Sequence, residues 1–269
     1  MKNCLRKAFL LALAAAVLTC SFAVNAYAGT LKVGTISYPY GKILDRAIPI
    51  LAQQGVQVEY VGYADDGSEG TQAALDLLEG RLDAHFLQTE HEFRAFADEH
   101  QLPLTVGAKV FVEPMGIYSK EFNSVEAAWD GAMIMLPQNG YMGRALWLLQ
   151  DACILTLKSG AAAYCDTDSI ADMNRPFRIY ENDYADVKSV YENSNMSVLT
   201  AQQAQGLGLN PYADSLYREG PASAFCGCVG VRNGEENSED IKKLLNVLQS
   251  EKISQFIYDN FGGAVVSVF

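Results

Sequence analysis

One arginine at the start of an apolar helix pattern is the strongest candidate for binding chemistry. Arg144 lies in the stretch LPQNGYMGRALWLLQDA, which runs from Leu136 to Ala152. The pattern predicts a strand that ends at Leu136, then a loop, then a helix that starts near Arg144. This arrangement would bring free backbone N–H groups and the positive end of the helix beside the guanidinium. That combination suits a carboxylate, which an arginine can hold with two parallel hydrogen bonds.

The other reactive residue types form no recognised catalytic pattern. The sequence lacks the G-x-S-x-G, H-E-x-x-H, P-loop and G-x-G-x-x-G motifs. His85 and His91 are six positions apart across a predicted strand-to-helix junction, so their spacing places them on no shared face. We interpret them as surface or helix-end residues; a metal site with Glu90 or Glu92 is the alternative. We therefore expect no enzyme activity, no metal and no cofactor.

The first 28 residues have the pattern of an export signal. A basic start is followed by an apolar segment, residues 8–17, and by an A-x-A pattern that ends at Ala28. The apolar segment is too short for a membrane span. We predict cleavage after Ala28 and a periplasmic protein. The alternative is cleavage before Cys20 and lipidation of that cysteine, which would anchor the protein to a membrane.

Charge and length restrict the function classes of the exported chain. The signal holds three of the 20 Lys and Arg residues and none of the 32 Asp and Glu residues, so the remaining 241 residues carry a formal net charge of −15. A strongly acidic chain is a poor partner for nucleic acid or anionic lipid. This length is enough for one large domain or for two lobes.

Four cysteines remain after the signal, and an oxidising compartment favours disulfides. Cys153 and Cys165 enclose a Gly/Ala-rich loop and could pair. Cys226 and Cys228 lie two positions apart in a strand-like run, so a direct bridge between them would need unfavourable geometry. We interpret these last two as buried thiols.

Strand and helix patterns alternate along the mature chain. Strands are predicted at residues 31–36, 56–61, 81–87 and 104–112, with helix patterns between them. A second series begins after Pro114 with a strand at 132–136 and the helix of Arg144. Such alternation predicts an α/β fold of two lobes, each with a mostly parallel sheet flanked by helices, and a ligand cleft between the lobes.

The two-lobe arrangement leaves a second interpretation of Arg144 open. Its guanidinium could form a structural ion pair with an acidic residue from the other lobe, instead of binding the carboxylate of a ligand. The spacing of the sequence is equally compatible with both. A similar choice concerns Asp65, Asp66 and Glu69, which we interpret as a solvated acidic loop; contact with a cationic end of a ligand is the alternative.

Five segments, in this order and spacing, resemble the MetQ/NlpA family, the methionine-binding lipoproteins that supply an ABC importer. The resemblance covers nearly all of the mature chain. It is carried by EGRLDAHFLQ (79–88), EPMGIYSK (113–120), GRALWLLQDA (143–152), GLNPYAD (208–214) and GGAVVSVF (262–269). It implies a two-lobed periplasmic-binding-protein fold (type II-like), a monomer that binds a small amino-acid-like ligand, and an inner-membrane ABC permease as partner.

The resemblance also implies where the lobes meet. The chain crossings are expected near Glu113–Tyr118 and Val229–Arg232. Lobe 1 would then comprise residues 29–114 and 231–269, and lobe 2 residues 115–230, after a signal at 1–28. The arginine of the family's G-R-A-L run clamps the carboxylate of the amino acid, and the matching residue here is Arg144. Gln88 matches a pocket residue of the family.

This chain departs from the family's pattern at four pocket positions. Histidines of the family correspond to Tyr40 and Thr89, and two expected asparagines correspond to Thr200 and Gly227. Loss of matched hydrogen bonds in a buried pocket costs about 1–3 kcal/mol each. We therefore predict weak or absent binding of L-methionine. The alternatives are the same fold with a specificity rewritten for a different small molecule, or a role in sensing or adhesion without transport. The expected ligand-binding set is Arg144, Gln88, Tyr38, Tyr40, Thr89, Tyr118, Thr200 and Gly227.

Overall fold

The structure is a computed structural model that describes residues 29–64, 68–138 and 140–269. The predicted signal (1–28), with the alternative lipidation site Cys20, lies outside the described residues, as do Asp65 and Asp66 of the acidic loop. Within the described part of the chain, no helix is long and apolar enough to cross a membrane.

The elements alternate as the sequence predicts, and most bounds agree within a few residues. The strands are β1 (Leu31–Thr35), β2 (Val58–Gly62), β3 (Ala84–Thr89), β4 (Leu104–Val112), β5 (Gly116–Tyr118), β6 (Met133–Pro137), β7 (Leu155–Leu157), β8 (Ile170–Met173), β9 (Arg178–Asn182), β10 (Met196–Leu199), β11 (Tyr217–Arg218), β12 (Cys226–Arg232) and β13 (Val266–Ser267). The α-helices are α1 (Lys42–Gln53), α2 (Glu69–Leu78), α3 (Glu90–Glu99), α4 (Met142–Asp151), α5 (Val187–Asn193), α6 (Ala201–Gly206), α7 (Glu239–Leu248) and α8 (Glu251–Phe261).

Two mixed sheets form the framework. The larger sheet has the order β13-β4-β12-β3-β1-β2, and the smaller has the order β11-β5-β10-β6-β9. In the larger sheet β1 runs parallel to β2 and β3, whereas β12 runs antiparallel to β3 and β4. In the smaller sheet β6 runs parallel to β9 and β10, but β5 is antiparallel to β10 and β11.

The prediction of mostly parallel sheets holds for the direction of the strands. In the larger sheet β1 to β4 run one way and only β12 and β13 are reversed, and in the smaller sheet only β5 is reversed. Parallel pairs arise where a helix carries the chain back to the start of the next strand, as between β1 and β2. The strand β12 instead arrives from the other sheet, without such a crossover, and inserts between β3 and β4 in the opposite direction. The α/β class and the flanking helices are as predicted.

Each sheet has its own hydrophobic core. The core of the larger sheet is formed with α1, α2, α3, α7 and α8 and includes the fully buried side chains of Val33, Ile43, Phe86, Phe93 and Leu248. The core of the smaller sheet includes those of Ile117, Ile134, Leu146, Leu149 and Met196. The burial of these apolar side chains is the main favourable contribution to folding.

The chain passes between the sheets twice. The first connection, residues 113–115, leads from β4 to β5, where the sequence places it. The second, residues 219–225, leads from β11 to β12. The sequence places this return near Val229–Arg232, but β12 pairs with the larger sheet from Cys226 onward. The division into lobes at 114/115 and 230/231 stays a prediction, and the sheet pairing favours an earlier second boundary.

Helix α4 packs unusually close to the loop that follows β7. Its buried face is formed by Ala145, Leu146, Leu148 and Leu149, at the spacing of an amphipathic helix. An ideal Cβ atom on Gly143 would collide with the carbonyl oxygen of Ala163 and lie 2.7 Å from the amide nitrogen of Cys165. The absence of a side chain at this position therefore lets the loop cover the first turn of α4.

We predict that Gly143→Ala destabilises the protein. In an exposed helix this change adds about 1 kcal/mol of stability, but here the new methyl group meets backbone atoms that cannot rotate away, and overpacking costs about 1–3 kcal/mol. Gly206→Ala, at a helical glycine with open space around its Cβ position, is the matched control. Urea unfolding of both variants is the measurement. A Gly143→Ala variant as stable as the control would contradict this close packing.

Candidate ligand-binding site

Arg144 is held on one edge by a carboxylate of its own chain. Its Nε donates to Oε1 of Glu219 at 2.9 Å, and its Nη2 donates to Oε2 at 2.5 Å. The same Nη2 donates to the backbone carbonyl of Glu113 at 2.8 Å. The ring of Phe225 stacks on the guanidinium, with 4.7 Å between the guanidinium carbon and the ring centroid. Together these contacts fix both the position and the plane of the guanidinium.

Glu219 connects the two segments that join the sheets. Its Oε2 accepts a hydrogen bond from the backbone N–H of Met115 at 2.9 Å, and its Oε1 accepts one from the Ser223 hydroxyl at 3.3 Å. Its backbone N–H donates to the carbonyl of Met115 at 3.0 Å. The side chain of Glu219 is only 5% exposed and that of Arg144 14%. A carboxylate buried this deeply needs all of these donors to offset the loss of water.

The Arg144 guanidinium stays charged because its partners outweigh burial. Burial by itself lowers the pKa of Arg144, but the hydrogen bonds and the negative charge of Glu219 more than compensate. Smaller contributions come from Glu113 and Tyr141, and the net result is a pKa above the usual value for arginine. The guanidinium therefore remains positive over the whole working range of pH.

The ion-pair interpretation expected an acidic partner for Arg144 from the other lobe. The partner, Glu219, instead comes from the same sheet unit as Arg144. Glu219 directly follows β11, which pairs with β5 in the smaller sheet, and α4 follows β6 of that sheet. The hydrogen bonds of the guanidinium to the described residues involve Nε and Nη2. They therefore leave the Nη1 hydrogens for another acceptor, and an ion pair with Glu219 is compatible with a ligand carboxylate on that nitrogen.

Tyr40 and Gly227 are brought into contact. The Tyr40 ring is 5% exposed and meets the rings of Phe86 and Phe111 edge-on, with centroids 5.0 and 4.7 Å away. A Cβ atom on Gly227 would lie 2.7 Å from the Phe111 ring and 3.0 Å from the Tyr40 ring. The glycine in β12 is therefore what allows both rings to close over this strand. Burial raises the pKa of Tyr40 well above its usual value, and the nearby charge of Arg144 opposes the shift.

Gln88 lies beside the start of α2. A Cβ atom on Gly70 would collide with the Gln88 amide, so the glycine at this position makes room for it. Among the described residues, Oε1 of Gln88 is buried and has no hydrogen bond of good geometry, but the amide lies close enough to His85 to oppose the lowering of the pKa of its imidazole. A ligand that bound this oxygen would compete with His85 for it.

Thr89 and Thr200 have structural roles at helix starts. The Thr89 hydroxyl donates to Oε2 of Glu92 at 2.7 Å, and the backbone N–H of Glu92 donates to it at 3.3 Å. Thr200 accepts the backbone N–H of Gln203 at 3.2 Å, and the Gln203 side chain accepts the N–H of Thr200. Both are complete capping boxes, at α3 and α6. Their T-x-x-E and T-x-x-Q spacing is a signal that the sequence itself contains.

The other two tyrosines of the expected set lie in different surroundings. Tyr38 follows β1 and is 45% exposed; burial and the charge of Glu113 raise its pKa, so it lies near the first connection. Tyr118 is fully buried in the smaller sheet, where its hydroxyl donates to the carbonyl of Pro211 at 3.3 Å. We therefore regard Tyr118 as a core residue of this sheet, and its contact with a ligand stays a prediction.

The two histidines that were candidate metal ligands, His85 and His91, have different surroundings. His85 is fully buried and packs on Phe93 with 4.9 Å between ring centroids, and burial lowers its pKa to about 4. His91 stacks between the rings of Tyr164 and Phe225. The described residues contain no group of three or more His, Cys, Asp or Glu side chains that could hold a metal ion.

The four cysteines of the mature chain are free thiols in the structure. Cys226 and Cys228 are buried, as the sequence predicts, and burial raises the pKa of Cys226 to about 11 and that of Cys228 further still. Thiols in this state are poor nucleophiles. Cys153 is exposed and Cys165 is half-buried, and they do not form the disulfide that the enclosed loop suggested.

Sequence reasoning missed Glu219 and Phe225, the two side chains that hold the guanidinium. Both lie about 75 positions or more beyond Arg144 in the chain. No local pattern marks them, because the contact depends on the return of the second connection past α4. The sequence did identify the arginine itself and the helix start on which it lies.

Two mixed α/β units joined by two connections, with a buried arginine at their junction, define the class of two-lobed solute-binding proteins. Comparison with known proteins agrees. A solved nutrient-binding protein from Burkholderia cenocepacia, bound to methionine, matches with a TM-score of 0.61 and 25% identity, covering 89% of this chain and 100% of that one. A periplasmic substrate-binding protein of an ABC transporter from Coxiella burnetii matches with a TM-score of 0.61 and 26% identity, covering 88% and 100%.

The sequence comparisons identify the family. The sequence profile of the NlpA lipoproteins matches residues 31–269. The methionine-binding lipoprotein MetQ of Bacillus subtilis is 28% identical over 286 residues, covering 100% of this chain and 99% of its own. The chain belongs to the NlpA lipoprotein family and has the fold of periplasmic substrate-binding proteins. The family is extracytoplasmic, which is compatible with both the periplasmic and the membrane-anchored prediction.

We predict that His85 makes stability depend on pH. Its pKa is about 4 when folded and about 6.5 when unfolded, so the unfolded chain binds the extra proton between these values. The free energy of unfolding is therefore unaffected by protonation of His85 above pH 6.5. It decreases as the pH falls from 6.5 to 4, by about 3 kcal/mol at most. Urea unfolding from pH 7 to 4.5 measures this, with His85→Gln expected to flatten the slope. His100→Gln removes an exposed histidine and should leave the slope unchanged; equal slopes in all three proteins would refute the prediction.

A double-mutant cycle tests the Arg144–Glu219 pair. Removing one partner leaves the other charge buried, so Arg144→Met and Glu219→Leu should each cost about 3–5 kcal/mol of stability. The double variant should lose about 1 kcal/mol less stability, or better, than the sum of the losses of the two single variants, because it leaves no unpaired buried charge. The exposed pair Lys243 and Glu239, with 2.8 Å between Nζ and Oε1, is the control and should show little coupling. Additive effects at Arg144 and Glu219 would show that the pair is not formed.

Proposed function

We propose that this protein is the solute-binding component of an ABC importer and that it binds a small amino-acid-like ligand between its two sheets. The observation that carries the proposal is the fixed guanidinium of Arg144 at the junction of the two connections. It contacts the carbonyl of Glu113 in one connection and the carboxylate of Glu219 in the other. The orientation leaves Nη1 for the carboxylate of a ligand. A preoriented donor reduces the entropy that binding would otherwise cost.

The other residues of the expected ligand-binding set support a rewritten ligand preference. Thr89 and Thr200 use their hydroxyls to cap helices, and Gly227 has no side chain to offer. The Tyr40 ring lies over Gly227 and reduces the space beside it. The amide oxygen of Gln88 is only weakly engaged, by His85, and suits the ammonium of an amino acid. These features support an amino acid other than L-methionine, or L-methionine held weakly.

The mechanism that this geometry favours is reversible binding of a ligand for transport, with no reaction of the ligand. The ligand would bind with the sheets apart, and rotation about the connections at 113–115 and 219–225 would enclose it. The closed form would then be the one recognised by an inner-membrane permease. Two of the cysteines are buried with raised pKa values, which argues against a thiol nucleophile. We expect binding and release of the ligand with no covalent change.

Thermal unfolding with a ligand panel tests the proposal. The mature chain, refolded to remove carried-over ligand, is heated with L-methionine, with the other common amino acids and with small carboxylates. A ligand at a thousand times its Kd adds about 4 kcal/mol of stability, a shift of several degrees. We expect at least one amino acid to give such a shift, and L-methionine to give a small one.

Substitutions of the clamp complete the experiment. Arg144→Lys keeps the charge but loses the planar donors, so it should abolish most of the ligand-induced shift. Arg46→Ala removes an exposed arginine on α1 and should preserve the shift. If no panel member stabilises the protein, the amino-acid proposal fails. If a ligand shift survives Arg144→Lys unchanged, a ligand binds but Arg144 is not its clamp.

A further inference from the structure

A cavity adjoins the Arg144–Glu219 pair and extends from it along the same face of α4. It has a volume of about 340 Å³ and lies between α4 and the second connection. Its walls are mostly apolar, and its polar groups are few. The lining is formed by Trp147, Leu148, Asp151, Ala163, Glu219, Ala222, Ser223, Ala224 and Phe225. The size is in the range of small-molecule sites.

Aromatic and small side chains shape this cavity. Trp147 and Phe225 supply two rings, and the Trp147 indole is held in place because its N–H donates to the carbonyl of Ala162 at 3.3 Å. Alanine at 163, 222 and 224 leaves the space between the rings open. Ala222 and Ala224 are exposed, so the cavity opens to solvent on the side of the second connection. Flat apolar walls of this kind bind a ring or a short aliphatic chain.

The cavity lining contains two carboxylates, those of Glu219 and Asp151. Glu219 is engaged by Arg144, Met115 and Ser223. Asp151 is an exposed residue on the same face of α4, two turns beyond Arg144, and it has no ion pair with another described residue. Burial, with the negative charge of Glu219, raises the pKa of Asp151. A positive group beside Asp151 would relieve this unfavourable position, and the indole face of Trp147 would favour it too.

We propose that this cavity is a second binding site, which takes a small organic ammonium compound with an apolar ring or chain. The ammonium would pair with Asp151, and the apolar part would lie between Trp147 and Phe225. The charge complementarity excludes carboxylates, which is the opposite of the preference expected at Arg144. The two sites share Glu219 and Phe225, but Asp151 and Trp147 belong to the cavity alone.

Fluorescence of Trp147 tests the proposal directly. The chain has two tryptophans, and Trp129, which is 54% exposed, is removed by Trp129→Phe. The mature protein in this background is titrated with 2-phenylethylammonium, with neutral 2-phenylethanol and with anionic 3-phenylpropanoate. We expect a saturable change with the ammonium compound and at least about fivefold weaker binding of the other two, because they lack the ion pair with Asp151.

Two variants locate the binding. Asp151→Asn should remove the preference for the ammonium compound but keep the cavity. Ala222→Leu, at the exposed rim, should block all three probes, whereas Ala52→Leu, at an exposed site on α1, should have no effect. Absence of a saturable change, equal affinity for the three probes, or binding that survives Ala222→Leu would each overturn the proposal.

Discussion

The carboxylate of Glu219 is the point at which the three parts of this fold meet. It accepts hydrogen bonds from Arg144 on α4, from the backbone of Met115 in the first connection and from Ser223 in the second. A buried charge of this kind is stable only when every donor is in place. The position of α4 relative to both connections therefore depends on this one group, and so does the orientation of the guanidinium.

The ion pair explains how an arginine can be both structural and available for binding. A carboxylate that takes Nε and Nη2 prevents rotation of the guanidinium and leaves its remaining nitrogen facing elsewhere. Because the pair is neutral overall, a ligand carboxylate would add one negative charge to a neutral environment. The ligand must therefore bring its own compensation, and a zwitterionic amino acid has an ammonium group that provides it. In the proposed mode of binding, the Gln88 amide would be the acceptor for such a group.

The packing around β12 has a comparable effect on specificity. Gly227 admits the rings of Tyr40 and Phe111, and these rings occupy the space that a side chain at position 227 would need. A change at either position therefore affects the other, because the interior has no free volume to absorb a new Cβ atom. Helix α4 has the Arg144 guanidinium in its first turn and the Asp151 carboxylate at its last residue, two turns further along the same face.

The sequence by itself determined the features that depend on neighbours a few residues away. The alternation of strands and helices, the helix start at Arg144 and the caps at Thr89 and Thr200 arise from local periodicity and local hydrogen bonds. Only the tertiary structure decided the direction of β12, the partner of Arg144 and the contact of Gly227 with two aromatic rings. Each of these joins residues far apart in the chain: the Arg144–Glu219 contact spans 75 positions. Contacts at that range depend on which strands pair and in which register, and no local pattern specifies that pairing.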